Sequence, residues 1–254
     1  MSAILQVIGL RKRFGGIVVA DDITLGLRPG EVVGLIGPNG AGKTSLFNLI
    51  TGVIRPDSGT IMMDGVRIDT LRLSERAQMG IARTWQHARS FPSLTLLDNL
   101  LLGARDYPGD SLLRTLLQPG ISRRMEAEAE QRAMQLLERV RLAHKAHDLA
   151  SDLSYGQQKL LGMARALMSE GACLLLDEPM AAVEGRTYAI MREVIEQEAH
   201  RGQAVCIVEH NVGFIRDLCS RGVFMAAGKV LADGPVDELM KMKDLTALYF
   251  GAAA

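Results

Sequence analysis

Glu31-Val32-Val33-Gly34-Leu35-Ile36-Gly37-Pro38-Asn39-Gly40-Ala41-Gly42-Lys43-Thr44 decides how this chain folds. Its first six residues read as a buried strand that runs without a linker into a glycine-rich loop. The loop satisfies G-x-x-x-x-G-K-[ST], and Thr44–Thr51 continues as a helix with Gly52 near its end. Strand, loop and helix in that order are what phosphate binding requires. Glycines let backbone N–H groups wrap an anion, and the helix N-terminus adds its positive end. Lys43 is placed to neutralise β- and γ-phosphates, and the Thr44 hydroxyl to bind Mg²⁺. The expected ligand is therefore a nucleotide, and the expected core is mixed α/β.

Two further strand ends extend this reading. Cys173-Leu174-Leu175-Leu176 is a continuous apolar run, as in a parallel strand covered on both faces, and it ends in Asp177-Glu178. Ligands in open α/β sheets gather at the carboxyl ends of strands, so these carboxylates belong with the glycine loop. Asp177 is expected to hold Mg²⁺ through its outer shell, and Glu178 to orient and polarise an attacking water. Ala204–Val208 is the next buried strand, followed by Glu209-His210. At that position His210 is expected to contact a γ-phosphate and place the water beside Glu178.

Ser154-Tyr155-Gly156-Gln157-Gln158 reads as a capping box, with Ser154 capping a helix while Gln157 returns a bond to its backbone. A capped helix start followed by glycine is also an anion site, but one terminus contributes only ~0.3–2 kcal/mol. Such a segment acts on a phosphate that other groups already hold.

Residues 103–121 contain Tyr107-Pro108-Gly109-Asp110 and Gln118-Pro119-Gly120, and read as an irregular exposed insertion. Ser122 is then expected to open a helix whose Met125, Ala129, Ala133, Leu137 and Val140 share one stripe. Arg186–Glu198 reads as another helix, and Val223–Leu231 as a hairpin around Ala227-Gly228. The middle third is a helical subdomain inserted into the α/β core.

Composition removes other classes. Lys+Arg and Asp+Glu are 29 each, so no broad basic field recommends nucleic acid as a partner. No apolar run approaches the ~20 residues of a membrane helix. Met1-Ser2-Ala3-Ile4 does not begin a secretion signal, and Cys173, Cys206 and Cys219 read as reduced core residues, so the chain is expected in the cytoplasm.

Taken in order, Phe14, the loop Gly37–Thr44, Gln86, Ser154–Gln158, Asp177-Glu178 and His210 resemble the nucleotide-binding subunits of ABC transporters over nearly the whole chain. The resemblance implies the ABC ATPase fold: a RecA-like phosphate-loop core, an N-terminal antiparallel β region and an inserted α-helical subdomain. The core would comprise residues 1–86 and 156–254, with the subdomain at 87–155 carrying the signature motif at its end. It also implies ATP and Mg²⁺ as ligands. Phe14 would stack adenine; Gly37, Pro38, Asn39, Gly40, Ala41, Gly42, Lys43, Thr44 and Ser45 would surround the phosphates. Gln86 would act both on the metal, with Thr44 and Asp177, and in catalysis, with Glu178 and His210. Ser154, Gly156 and Gln157 would touch ATP held by a second ATPase subunit, identical or homologous. Integral membrane permeases, and through them an extracytoplasmic solute-binding protein, would complete the assembly on the cytoplasmic face of the membrane. Phe91, beside Pro92, would face a permease, while Leu96 and Leu97 read as core.

Arg13-Phe14-Gly15-Gly16 with Ala20, Gly80-Ile81-Ala82-Arg83-Thr84-Trp85-Gln86, and Tyr155 narrow the resemblance to importers of branched-chain amino acids. Importers of urea and short amides share these features, and a soluble ABC ATPase uncoupled from transport is the alternative of another class. The chain departs from the family at Trp85, where phenylalanine is usual, and at Glu184 in the loop Ala181-Ala182-Val183-Glu184-Gly185, near the position of an aspartate.

Overall fold

The computed structural model describes residues 3–85, 90–105, 119–181, 183–242 and 244–245. Gln86 and Ala182 therefore lie outside the described residues, as does most of the insertion expected at 103–121.

Among the described residues the strands form two sheets. The first is antiparallel, in the order β2 (Ile17–Leu27), β1 (Leu5–Phe14), β4 (Ser58–Met63), β5 (Val66–Arg67). β1 and β2 turn at Gly15-Gly16, so Phe14 pairs with Ile17 at the tip. The second sheet runs β10 (Lys229–Pro235), β9 (Arg221–Ala226), β3 (Val32–Ile36), β8 (Ala204–Val208), β7 (Cys173–Asp177), β6 (Ile81–Arg83). Its strands are parallel apart from β10, which folds back on β9. Every residue of β3, β7 and β8 is buried, which explains why they read as unbroken apolar runs rather than alternating ones.

The chain divides into two compact units. The first comprises Met1–Arg83, Gly171–Ala181 and Ile195–Ala254, and contains both sheets with α1 (Lys43–Thr51) and α2 (Leu73–Gln78). Its core joins Leu10, Ile23 and Ile61 of the antiparallel sheet to Leu46 and Phe47 of α1 and to Leu35, Leu175 and Val208 of the parallel one. Arg76, fully buried on α2, donates to the carbonyls of Leu49 and Ile50 (2.6 and 2.9 Å) and of Asp69 (2.8 Å), closing the C-terminal end of α1.

The second unit comprises Thr84–Glu170 and Ala182–Val194. In it α3 (Leu96–Leu101), α4 (Pro119–Arg139) and α5 (Tyr155–Leu167) pack on one another through Leu96, Leu100, Ala133, Leu137, Leu160 and Ala164. Two expectations are corrected here. The helix expected to open at Ser122 already includes Pro119, leaving Ser122 buried within α4. The boundary drawn at residue 156 also moves: α5 groups with the helical unit, because its apolar face packs on α3 and α4. The dividing line further assigns Ala182–Val194 to the helical unit, cutting through α6 (Gly185–His200).

Candidate functional site

The order β3-β8-β7-β6 places four carboxyl ends side by side in the first unit. The glycine loop leaves β3, Glu209-His210 follow β8, Asp177-Glu178 end β7, and Arg83 ends β6.

Neighbouring backbone shapes the loop. A Cβ on Gly37 would lie 2.0 Å from the Met225 carbonyl oxygen, and one on Gly42 would lie 2.4 Å from that of Val19. Both residues also have positive φ, 151° and 101°, so only glycine fits either position. The Gly228 N–H donates to the Ala41 carbonyl (3.0 Å), and Asp21 N–H donates to the Gly228 carbonyl (2.8 Å). The β9–β10 turn thus ties the loop to β2. α1 begins beyond Gly42 with no side chain capping it, which leaves its first N–H groups to an anion. Thr44 is exposed in that first turn, Ser45 half-buried, and Asn39 and Gly40 exposed at the loop's crest. Lys43 Nζ meanwhile donates to the carbonyls of Gly37 (2.6 Å) and Pro38 (2.9 Å). Burial lowers its pKa, while Glu178 and Asp177 act electrostatically in the opposite direction.

Asp177 is buried, and its Oδ2 accepts from Arg83 Nη2 at 2.8 Å. Arg83 in turn donates to Asn48 Oδ1 (2.7 Å) and Thr51 Oγ1 (3.4 Å) on α1, over the Phe47 ring (5.5 Å to its centre). Burial pulls the guanidinium pKa down, and the bond to Asp177 works against that shift. Glu178 follows with φ 47°, a left-handed conformation unusual for a glutamate and found where a site over-determines its backbone. Its Oε1 stands 3.2 Å from His210 Nε2, and its N–H donates to the Val208 carbonyl (2.9 Å).

Glu209 is buried beside them. Its Oε1 accepts from Met180 N–H (2.6 Å), and its Oε2 from His210 N–H (3.0 Å) and Asn211 N–H (3.4 Å). Burial raises its pKa, against these three N–H groups, and the nearby Glu178 raises it further.

Phe14 is about half exposed at the tip of β1 (48%), with Lys12 Nζ 5.2 Å from its ring centre. That ammonium also pairs with Asp57 Oδ1 at 2.7 Å. Phe14 therefore offers an open aromatic face, as a stacking residue needs.

The second unit holds the signature segment. Ser154 Oγ accepts from Gln157 N–H (3.4 Å), and Gln157 Oε1 accepts from Ser154 N–H (3.0 Å), forming the expected capping box. Ser154 and Tyr155 are exposed, and Lys159 Nζ sits 5.6 Å from the Tyr155 ring centre. A Cβ on Gly156 would press on Thr187 Oγ1 at 3.1 Å. Phe91 is half exposed (50%) and Leu96 fully buried, whereas Leu97 is only partly buried and is not the core residue expected. Asn99 holds the Phe91 backbone from both sides, accepting its N–H (2.8 Å) and donating to its carbonyl (3.0 Å). Glu184 is exposed.

The first unit therefore brings together Lys43, Asp177, Glu178 and His210, while Ser154, Gly156 and Gln157 belong to the other unit. Gln86, named both as a metal residue and in catalysis, lies outside the described residues. Two contributors were missed in the sequence. In the sequence Arg83 stands out only as part of a family-like stretch, and Glu209 only as the neighbour of His210. The available signal was an ionisable residue at the end of a buried strand, which must find a partner there.

A uniquely glycine-fitting loop at an uncapped helix start, beside a strand-ending carboxylate pair, defines a phosphate-loop nucleotide-binding protein. Comparison with known proteins agrees. The chain belongs to the ABC transporter family, whose sequence model matches residues 20–181. It is 36% identical over 98% of both chains to the high-affinity branched-chain amino acid transport ATP-binding protein LivG of Escherichia coli strain K12. It is 33% identical, again over 98% of both chains, to the lipopolysaccharide export system ATP-binding protein LptB of Haemophilus influenzae. Its fold matches the crystal structure of a nucleotide-free ATP-binding cassette from an ABC transporter with a TM-score of 0.85 at 28% identity, covering 98% of this chain and 99% of that one.

Proposed function

We propose that this chain is the ATP-hydrolysing subunit of an importer for branched-chain amino acids. The observation that carries the hydrolytic part is the contact between Glu178 and His210 at neighbouring strand ends, beside the lysine of the glycine loop. The Gly37–Ser45 backbone and Lys43 bind the phosphates, and Phe14 stacks the base. For Lys43 this means exchanging the carbonyls of Gly37 and Pro38 for phosphate oxygens. Thr44, Asp177 and Gln86 are the groups that would hold Mg²⁺, and the exposed hydroxyl and buried carboxylate suit a hard cation. Mg²⁺ held by these groups would supply positive charge that neutralises the phosphates. Glu178 accepts hydrogen bonding from the attacking water, and His210 holds both Glu178 and the γ-phosphate in register.

Ser154, Gly156 and Gln157 complete the site of a second subunit, identical or homologous, so that two ATP molecules are enclosed on closure and released after hydrolysis. Among the described residues no helix is long and apolar enough to cross a membrane. The likeness to ABC transporter ATP-binding subunits supports a peripheral site of action at the cytoplasmic face, on permease subunits that Phe91 helps to contact. An extracytoplasmic solute-binding protein would deliver the solute.

The solute assignment rests on the likeness to LivG, together with Tyr155 and the Arg13–Gly16 stretch. The likeness to LptB supports a second reading, in which the subunit drives lipopolysaccharide export. Deleting the gene and measuring uptake of labelled leucine, then restoring it with parent or Glu178→Gln protein, separates the two. Import fails in the deletion and is rescued only by the parent. Normal leucine uptake in the deletion, with export permeases co-purifying, would replace the first reading by the second.

A further inference from the structure

Glu209 is used by none of the steps above, yet it is among the most tightly held groups of the site. It is 3% exposed, and its carboxylate reaches two separate backbone segments. Oε1 takes the N–H of Met180, two residues beyond Glu178, in a short bond of 2.6 Å. Oε2 takes the N–H groups of His210 and Asn211, at 3.0 and 3.4 Å. Asn211 then caps α7 (Val212–Leu218), its Oδ1 accepting the Phe214 N–H at 3.1 Å. One side chain therefore clamps the turn after Glu178 to the start of the segment that carries His210. The side chains of Glu178 and His210 meet at 3.2 Å between these clamped segments.

The alternative is that Glu209 merely satisfies three N–H groups at the end of a buried strand. A neutral acceptor would do that without the desolvation cost of a carboxylate. Hydrogen bonds to an ionised acceptor are shorter and about twice as strong as neutral ones, which suits a clamp more than a cap. Glu178 also sits in a left-handed backbone conformation, and such a residue needs neighbours that hold it there.

We propose that Glu209 is a positioning residue for ATP hydrolysis, fixing the distance between Glu178 and His210 by tying Met180 to the backbone of His210 and Asn211. The inference rests on the roles given to Glu178 and His210. It deepens them by naming the group that holds the pair in place.

The test is a double-mutant cycle on the full-length chain, using Glu209→Gln, His210→Ala and the pair together. Glu209→Gln keeps the shape but turns an NH₂ group toward one of the N–H donors, so one side of the clamp opens. Single-turnover hydrolysis at excess protein gives the rate, ATP titration gives affinity, and thermal melts report folding. Loss of one charge-assisted bond is expected to slow turnover by about 10- to 100-fold. ATP affinity should stay within about twofold, because Glu209 bonds backbone N–H groups of Met180, His210 and Asn211 and none of the glycine-loop residues that bind the phosphates. With His210→Ala already present, the added loss should shrink to about twofold or less, since the clamp then has nothing left to place.

Full additivity, unchanged turnover in Glu209→Gln, or an equal loss of ATP affinity would each overturn the proposal. Should Glu209→Gln fail to fold, the cycle is run with Glu209→Asp, which keeps the charge and shortens the reach. A His210→Ala variant with normal turnover would instead reject the role of His210, and so identifies failure of the parent reading separately.

Discussion

Replacing Arg83 by methionine tests whether the guanidinium buried beneath the site sustains it. Arg83 and Asp177 side chains are 4% and 1% exposed, 2.8 Å apart. Taking one partner from a buried ion pair costs ~3–5 kcal/mol, because the other charge stays behind in a medium that solvates it poorly. Loss of the Asn48 bond adds ~1 kcal/mol, and methionine replaces only part of the packing on Phe47. In a chain of this size each kcal/mol lowers the melting temperature by roughly 2–4 °C, so Arg83→Met should melt about 10 °C or more below the parent. Asp177→Asn should be destabilised comparably, leaving Arg83 without the carboxylate. The double variant should then cost less than the sum of the two by about 2 kcal/mol or more. Thermal and urea unfolding of the four proteins measures every term. Arg83→Met melting within about 2 °C of the parent, or strict additivity in the cycle, would show that the contact carries no such energy.

Three other outcomes are expected. Glu178→Gln should bind Mg-ATP as the parent does but hydrolyse it about 10²–10⁴-fold more slowly and accumulate as a closed dimer, seen by size-exclusion chromatography with ATP; near-parental turnover rejects Glu178 as the water-orienting group. Gly37→Ala places a Cβ 2.0 Å from the Met225 oxygen, so the loop must deform and ATP affinity should drop more than tenfold; unchanged affinity by titration would mean that the loop is not held as described. Burial pushes the thiols of Cys173 and Cys219 up to about 12, and raises that of Cys206 well above its ordinary value. At pH 8 roughly one Cys173 or Cys219 in ten thousand is then a thiolate, so Ellman's reagent should label the folded protein only after denaturant is added. Prompt labelling of one thiol in the native state contradicts the burial.

The residues legible in the sequence were those whose chemistry depends on order along the chain. A glycine loop between strand and helix, two carboxylates closing an apolar run, and Ser154 three positions before Gln157 are local patterns, and the structure shows their local geometry. The supports were not legible, because each acts across a long separation. Arg83 meets Asp177 through the pairing of β6 with β7, and no spacing rule links residues 94 positions apart. Glu209 reaches Met180 across 29 positions in the same way.

Neighbouring backbone also sets the shape of the glycine loop. Its form is dictated by the Met225 and Val19 carbonyls, which admit no side chain at 37 or 42, and by the Gly228 N–H bond to Ala41. Lys43 fills the remaining gap by donating to two carbonyls of the loop itself. Each such bond has a net value of only ~0.5–1.5 kcal/mol, so a phosphate, offering charge-assisted acceptors, displaces them easily. The loop's form is thus fixed by backbone around it, while Arg83 and Glu209 hold the carboxylate ends of neighbouring strands. That division assigns sequence motifs to contact with the nucleotide and buried, distant charges to the rigidity those contacts rely on.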